Sequence, residues 1–177
     1  MRTLRISLIS LLVVLAIVLA TARQVGASTK AEAPVSDGGL VRAIRHYRAT
    51  TLELRGVMGV PSRFPSPGRV SLLRVRSIWH VRADAAARVF RHGPTHRRAW
   101  MCIHHYEGSW TDGGSPYYGG LQMDIGFQET YGRALFAAKG TADHWTPLEQ
   151  MWVAERAYRS GRGFYPWPNT ARYCGLI

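Results

Sequence analysis

The chain has 177 residues, 46% of them hydrophobic and 11% aromatic, which suits one folded domain with a proper core and excludes two large ones. Its formal net charge of +12 is unevenly placed: residues 28–99 hold fourteen basic and four acidic residues, whereas residues 100–177 hold six basic and seven acidic. The basicity therefore belongs to the segment before residue 100, where it implies attraction to an anionic surface such as wall polymers or lipid headgroups.

Two arginines in Met1–Arg5 precede Ile6–Ala22, a run without charge. This is the layout of a secretory signal, with small residues before Ser28 that suit cleavage after Ala27. The rival reading is an uncleaved anchor, because the seventeen apolar positions lie at the lower edge of what spans a bilayer. Either way the remainder is expected outside the cell, secreted or wall-associated, or held at the membrane. Export leaves no place for nucleic acid as a partner.

Residues 28–38 read as a flexible lead-in. Leu40–Met58 then sets Leu40, Val41, Ile44, Tyr47 and Leu54 on one face with arginines interleaved, a basic amphipathic helix expected to pack on the domain rather than lie on a membrane. Pro61–Gly68 is a breaker-rich connector. Val70–Arg91 alternates like a strand at Leu73–Arg76, but Trp79, Ala83, Ala86, Ala87 and Phe90 keep helical spacing and predict a helix. Gly93-Pro94 ends it, and Thr95 is the expected N-cap of the next helix.

Trp100, Ile103 and Tyr106 predict that next helix, with Glu107 at its last position. Gly108 and the loop Asp112-Gly113-Gly114-Ser115-Pro116 cannot continue it. A carboxyl among Tyr106, Trp110, Tyr117 and Tyr118 loses solvation, which favours the protonated form that a general acid needs. By itself, a glutamate at a helix end is also compatible with an ordinary solvated residue.

Further on, Asp124 is placed to cap a short helix ending at Tyr131, and Arg133–Lys139 forms another closed by Gly140. Thr146-Pro147-Leu148-Glu149 is a capping box with proline at the first helical position, opening a helix to Ser160 that Gly161 stops. Its Met and aromatic stripe reads as core. Phe164–Pro168 reads as an extended loop in which prolines hold aromatic rings available to stack on sugars. The two cysteines, Cys102 and Cys174, suit one disulfide in an oxidising compartment, the alternative being two buried thiols. His104 and His105 beside Cys102 lack zinc-site spacing, so neither a metal nor a cofactor is expected.

Glu107-Gly108-Ser109-Trp110, followed eight residues on by Tyr118-Gly119-Gly120-Leu121-Gln122, resembles the catalytic core of the resuscitation-promoting factors and related actinobacterial transglycosylase-like domains. The resemblance runs over roughly residues 97–177. It implies a mainly α, small lysozyme-like domain at 95–177, preceded by a basic, largely helical segment at 28–94. It puts the catalytic acid that cleaves peptidoglycan glycan on Glu107, and it suggests Tyr118, Gln122 and Trp167 for the glycan groove. Trp110 and Asp124 complete the expected substrate-binding set. One departure is visible: the family's cysteine directly before the glutamate is replaced by Tyr106, and Cys102 stands one helical turn earlier.

Hydrolysis of a glycosidic bond normally takes two carboxylates. Asp112 and Asp124 are the available second ones, as a turn residue and a helix cap respectively. One acid suffices if the muramic acid 6-hydroxyl is the nucleophile, so lytic transglycosylation is expected ahead of hydrolysis. A glycan-binding or signalling module without chemistry, tethered by its basic segment, is the alternative from another class.

Overall fold

The computed structural model describes residues 36–177, which form one compact unit. The expected signal, residues 1–27, and the lead-in to residue 35 lie outside the described residues.

Seven α-helices make up most of this unit: α1 (Asp37–Met58), α2 (Leu72–His92), α3 (Arg97–Glu107), α4 (Ile125–Tyr131), α5 (Arg133–Lys139), α6 (Pro147–Ala157) and α7 (Pro168–Tyr173). The chain is mainly helical, as its periodicity predicts. The ends of these helices are set by short-range chemistry. Ser36 and Ser71 accept the backbone N–H groups of Gly39 and Arg74, both at 3.3 Å, and so cap α1 and α2. The lead-in is accordingly shorter than its composition implies, because Asp37 and Gly38 already belong to α1.

Thr95 does not cap α3. The N-cap is His96, and its side chain makes no capping bond. A carboxylate from another helix does that work: Glu155 Oε2 accepts from the His96 backbone N–H at 3.4 Å and from Trp100 Nε1 at 2.9 Å, while Oε1 lies 3.1 Å from His96 Nδ1. A negative charge at a helix N-terminus is stabilising, and a carboxylate only 2% exposed requires such partners. Sequence pattern alone could not find a cap 59 residues away.

Around α6 sits the core, with Trp100 and Ile103 from α3, Leu121 and Met123 after the loop, Phe127 from α4 and Trp167 before α7. Val57, Met58 and Ala86 belong to the same cluster. The basic segment thus shares the core of residues 95–177, and its first helix packs there as expected. Arg156 Nη1 donates to Gly56 O, and Arg159 Nη2 donates to Met58 O, so guanidinium groups from α6 and from the turn that follows it cover the last carbonyls of α1. Burial, reinforced by the nearby Arg159, pushes the Arg156 guanidinium below its ordinary range.

The predicted capping box at Thr146 and Glu149 is present, and α4 and α5 end at Gly132 and Gly140 as expected. After Ala157 the chain makes a wide turn over Tyr158–Arg162, with Gly161 at a φ of 99°. The Phe164–Pro168 stretch is a correction: Trp167 is the N-cap of α7 and Pro168 its first residue, so the extended loop ends in a helix that the aromatic-proline pattern concealed.

Candidate active site

Glu107 ends α3 because Gly108 follows with a φ of 156°, and its half-buried carboxylate faces a cleft of about 210 Å³. Tyr117, Gln122, Trp167, Asn169 and Thr170 share that cleft, together with Pro166 and Pro168. Glu107 is the one carboxylate among the lining residues. The Thr170 hydroxyl donates to Glu107 Oε1 at 2.7 Å, holding one oxygen and leaving the other for a ligand.

Two devices place Thr170 there. The disulfide Cys102–Cys174 joins α3 to the end of α7 with Cα atoms 6.0 Å apart, closing the expected bridge over 72 residues. Trp167 anchors the other end of α7: its Nε1 donates to Leu121 O at 2.6 Å, and its ring packs edge-on against Trp100 at 5.2 Å and Phe127 at 5.4 Å. At 5% exposure Trp167 is a core side chain with one edge on the cleft. It is not a free platform in a loop.

The loop from Gly108 to Gln122 is wired from below by Gln150, which is fully buried. Its Oε1 accepts from Gly120 N at 2.9 Å, and its Nε2 lies 2.8 Å from Trp110 O and Ala142 O and 3.1 Å from Trp145 O. The glycine pair answers to this closeness: a Cβ on Gly119 would lie 2.5 Å from Gln150 Oε1, and one on Gly120 would lie 2.6 Å from both His104 Nδ1 and Trp110 Cε3. A two-residue antiparallel ladder follows, pairing Tyr117 with Asp124 and Tyr118 with Met123.

Gln122 stands just before that second strand at a φ of 48°, a left-handed conformation that costs a non-glycine residue about 1–2 kcal/mol. Its Nε2 is held by Gly119 O at 2.9 Å and Asp112 Oδ2 at 3.0 Å. These bonds fix the amide at the cleft wall. Asp112 spends its other oxygen on Gly114 N at 3.0 Å, so it stabilises the turn.

The expected site residues therefore separate into two groups. Glu107, Gln122 and Trp167 come together at the cleft. Trp110 instead stacks on His104, with centroids 3.9 Å apart and planes 22° apart, and its carbonyl accepts from Gln150. Tyr118 is half-buried against the core, and Asp124 Oδ1 accepts from Phe127 N at 2.7 Å as the cap of α4. None of these three lines the cleft around Glu107. Tyr106 also points elsewhere, its ring 5.7 Å from that of Tyr173.

Sequence reasoning set Tyr117 near the carboxyl without counting it in the groove, and it missed Thr170. Adjacent side chains of a ladder face opposite sides, but two residues are too few for the sequence to tell which of Tyr117 and Tyr118 faces the cleft. Proline at a first helical position could have found Thr170 by announcing α7 at Pro168. Searched against family models, curated proteins and solved structures, the chain matches none of them.

Proposed function

We propose that this protein cleaves the glycan strand of peptidoglycan at the bond between N-acetylmuramic acid and N-acetylglucosamine, with Glu107 as general acid and then base. The observation that carries the reading is a single carboxylate at a helix end, half-buried beside Trp167 and held on one oxygen by Thr170. Such a group can donate a proton to the leaving glycosidic oxygen. The Trp167 edge and the exposed Tyr117 ring offer apolar faces to a sugar, and Gln122 and Asn169 offer amides for its hydroxyls.

The muramic acid 6-hydroxyl then attacks C1, the C1–O bond to the leaving sugar breaks, and Glu107 takes the hydroxyl proton, leaving a 1,6-anhydro end. Asp112 has both oxygens engaged within its loop, and Asp124 caps α4, which favours this substrate-assisted route over one that needs a second carboxylate. A lysozyme-like domain exported to the wall, attracted to it by the basic segment, is the setting this reading assumes.

Incubation of the protein with purified peptidoglycan, followed by mass analysis of the released ends, tests it. Anhydromuropeptides are expected. Reducing ends in their place would assign hydrolysis, and release of no soluble glycan would reject cleavage.

A further inference from the structure

Thirteen arginines lie in residues 36–99 against three carboxylates. None of the four ion pairs among the described residues includes an arginine. Several of these guanidinium groups lie instead over aromatic rings: Arg82 sits 4.5 Å from Phe64 and 4.7 Å from Trp79, and Arg55 sits 5.0 Å from Phe64. Arg82 Nη1 is buried and has no hydrogen-bond partner. This is a cationic surface whose arginines have no carboxylate partner among the described residues.

Helices α1 and α2 pack on each other as a helical hairpin, and this hairpin also exposes aliphatic side chains. Trp79, Ala83 and Ala86 turn one face of α2 inward. At about 100° per residue, Leu73, Arg74, Val81, Arg88 and Arg91 fall within one sector on the opposite side, together with one carboxylate, Asp84, which lies 3.5 Å from His80 Nδ1. Leu73 and Val81 are each 61% exposed, and Val89 is 52% exposed. Beside this sector, α1 and α2 enclose a groove of about 270 Å³, lined by Met58, Val60 and Val89 and flanked by Arg55 and Arg82.

We propose that the outward face of α2 and this groove dock the protein on an anionic lipid surface. Phosphate headgroups would answer the unpaired arginines, while Leu73, Val81 and Val89 would leave water at the headgroup boundary. A phosphate polymer would satisfy the arginines and do nothing for the aliphatics. A second copy of the chain would bring like charge against like. In a chain that keeps the uncharged run 6–22, only residues 23–36 separate it from α1, a span of at most about 50 Å. Because Arg156 and Arg159 cover the end of α1, docking orients the whole domain.

The proposal deepens the reading of an exported protein drawn to an anionic surface and rests on that export, but not on the chemistry of Glu107. Residues 36–177 contain the core and the disulfide, so the unit can be tested without the apolar run. Co-sedimentation should show binding to phosphatidylcholine vesicles carrying about a third phosphatidylglycerol, and at least about tenfold weaker binding to phosphatidylcholine alone. A Leu73→Gln/Val81→Gln variant, altered only at exposed positions, should lose about tenfold on the anionic vesicles through lost apolar contact. Its binding to soluble poly(glycerol phosphate) should not change, and circular dichroism should match the parent.

No binding to the anionic vesicles would overturn the proposal. So would a double variant that binds them as well as the parent, which would make the face a general polyanion surface, or one that loses only self-association in sedimentation velocity. Glu107→Gln should leave vesicle binding intact, so this experiment and glycan release can fail independently.

Discussion

The hairpin of α1 and α2 and the region from α3 to the C-terminus use polar residues in opposite ways. In the hairpin they are mostly arginines without carboxylate partners, several of them disposed around aromatic rings. Beyond it they are single buried groups, Gln128, Gln150 and Glu155, each satisfied by several specific bonds. The hairpin thus presents charge outward, while the rest converts polarity into the fixed geometry of one cleft. An arginine on the first surface is replaceable singly; a buried amide in the second is not.

Removing the hairpin should have the largest effect. A truncation starting at Gly93 discards Val57, Met58 and Ala86 from the common core, and circular dichroism should show loss of cooperative structure. A folded truncation would separate the two regions after all. Next comes the disulfide: replacing Cys102 and Cys174 with serine should cost about 4 kcal/mol by loop entropy, read from urea unfolding. The cleft should suffer with it, because α7 carries Thr170.

Gln150→Leu leaves Gly120 N and the carbonyls of Trp110 and Ala142 without their buried partner, at a cost of roughly 2–4 kcal/mol. A loss below about 0.5 kcal/mol, the scale of an ordinary surface change, would show that the loop is not wired this way. Smallest in stability is Thr170→Val. It removes the donor that holds Glu107 Oε1 and should lower the rate of glycan release about tenfold with little change in unfolding. Thr170→Ser should restore the rate, whereas an unchanged rate in the valine variant would give Thr170 a packing role alone.

The helices other than α7 were legible because their signals are local. Apolar spacing marked α1 and α2, glycines marked the ends of α4 and α5, and Thr146-Pro147-Leu148-Glu149 announced α6. The candidate site was legible only in part. Of its expected residues, Glu107, Gln122 and Trp167 line one cleft, whereas Trp110 stacks on His104 and Asp124 caps α4. Thr170 acts across 63 residues, Gln150 across 40 to Trp110, and Glu155 across 59 to His96. Contacts of that separation leave no periodic trace in a sequence. Tyr117 was displaced by its neighbour Tyr118 for a simpler reason: adjacent strand residues face opposite ways, and a two-residue strand is too short to show its register.

The most direct test compares the wild-type protein with Glu107→Gln on purified peptidoglycan under identical conditions, with unfolding curves of both. The amide keeps the shape of the side chain and can still accept from Thr170, but it cannot donate the proton that cleavage requires. Soluble muropeptides are expected from the wild type and none above background from the variant, with nearly coincident unfolding transitions. Equal release by the two proteins would contradict the assignment of Glu107 as the acid and remove the basis for reading this cleft as catalytic.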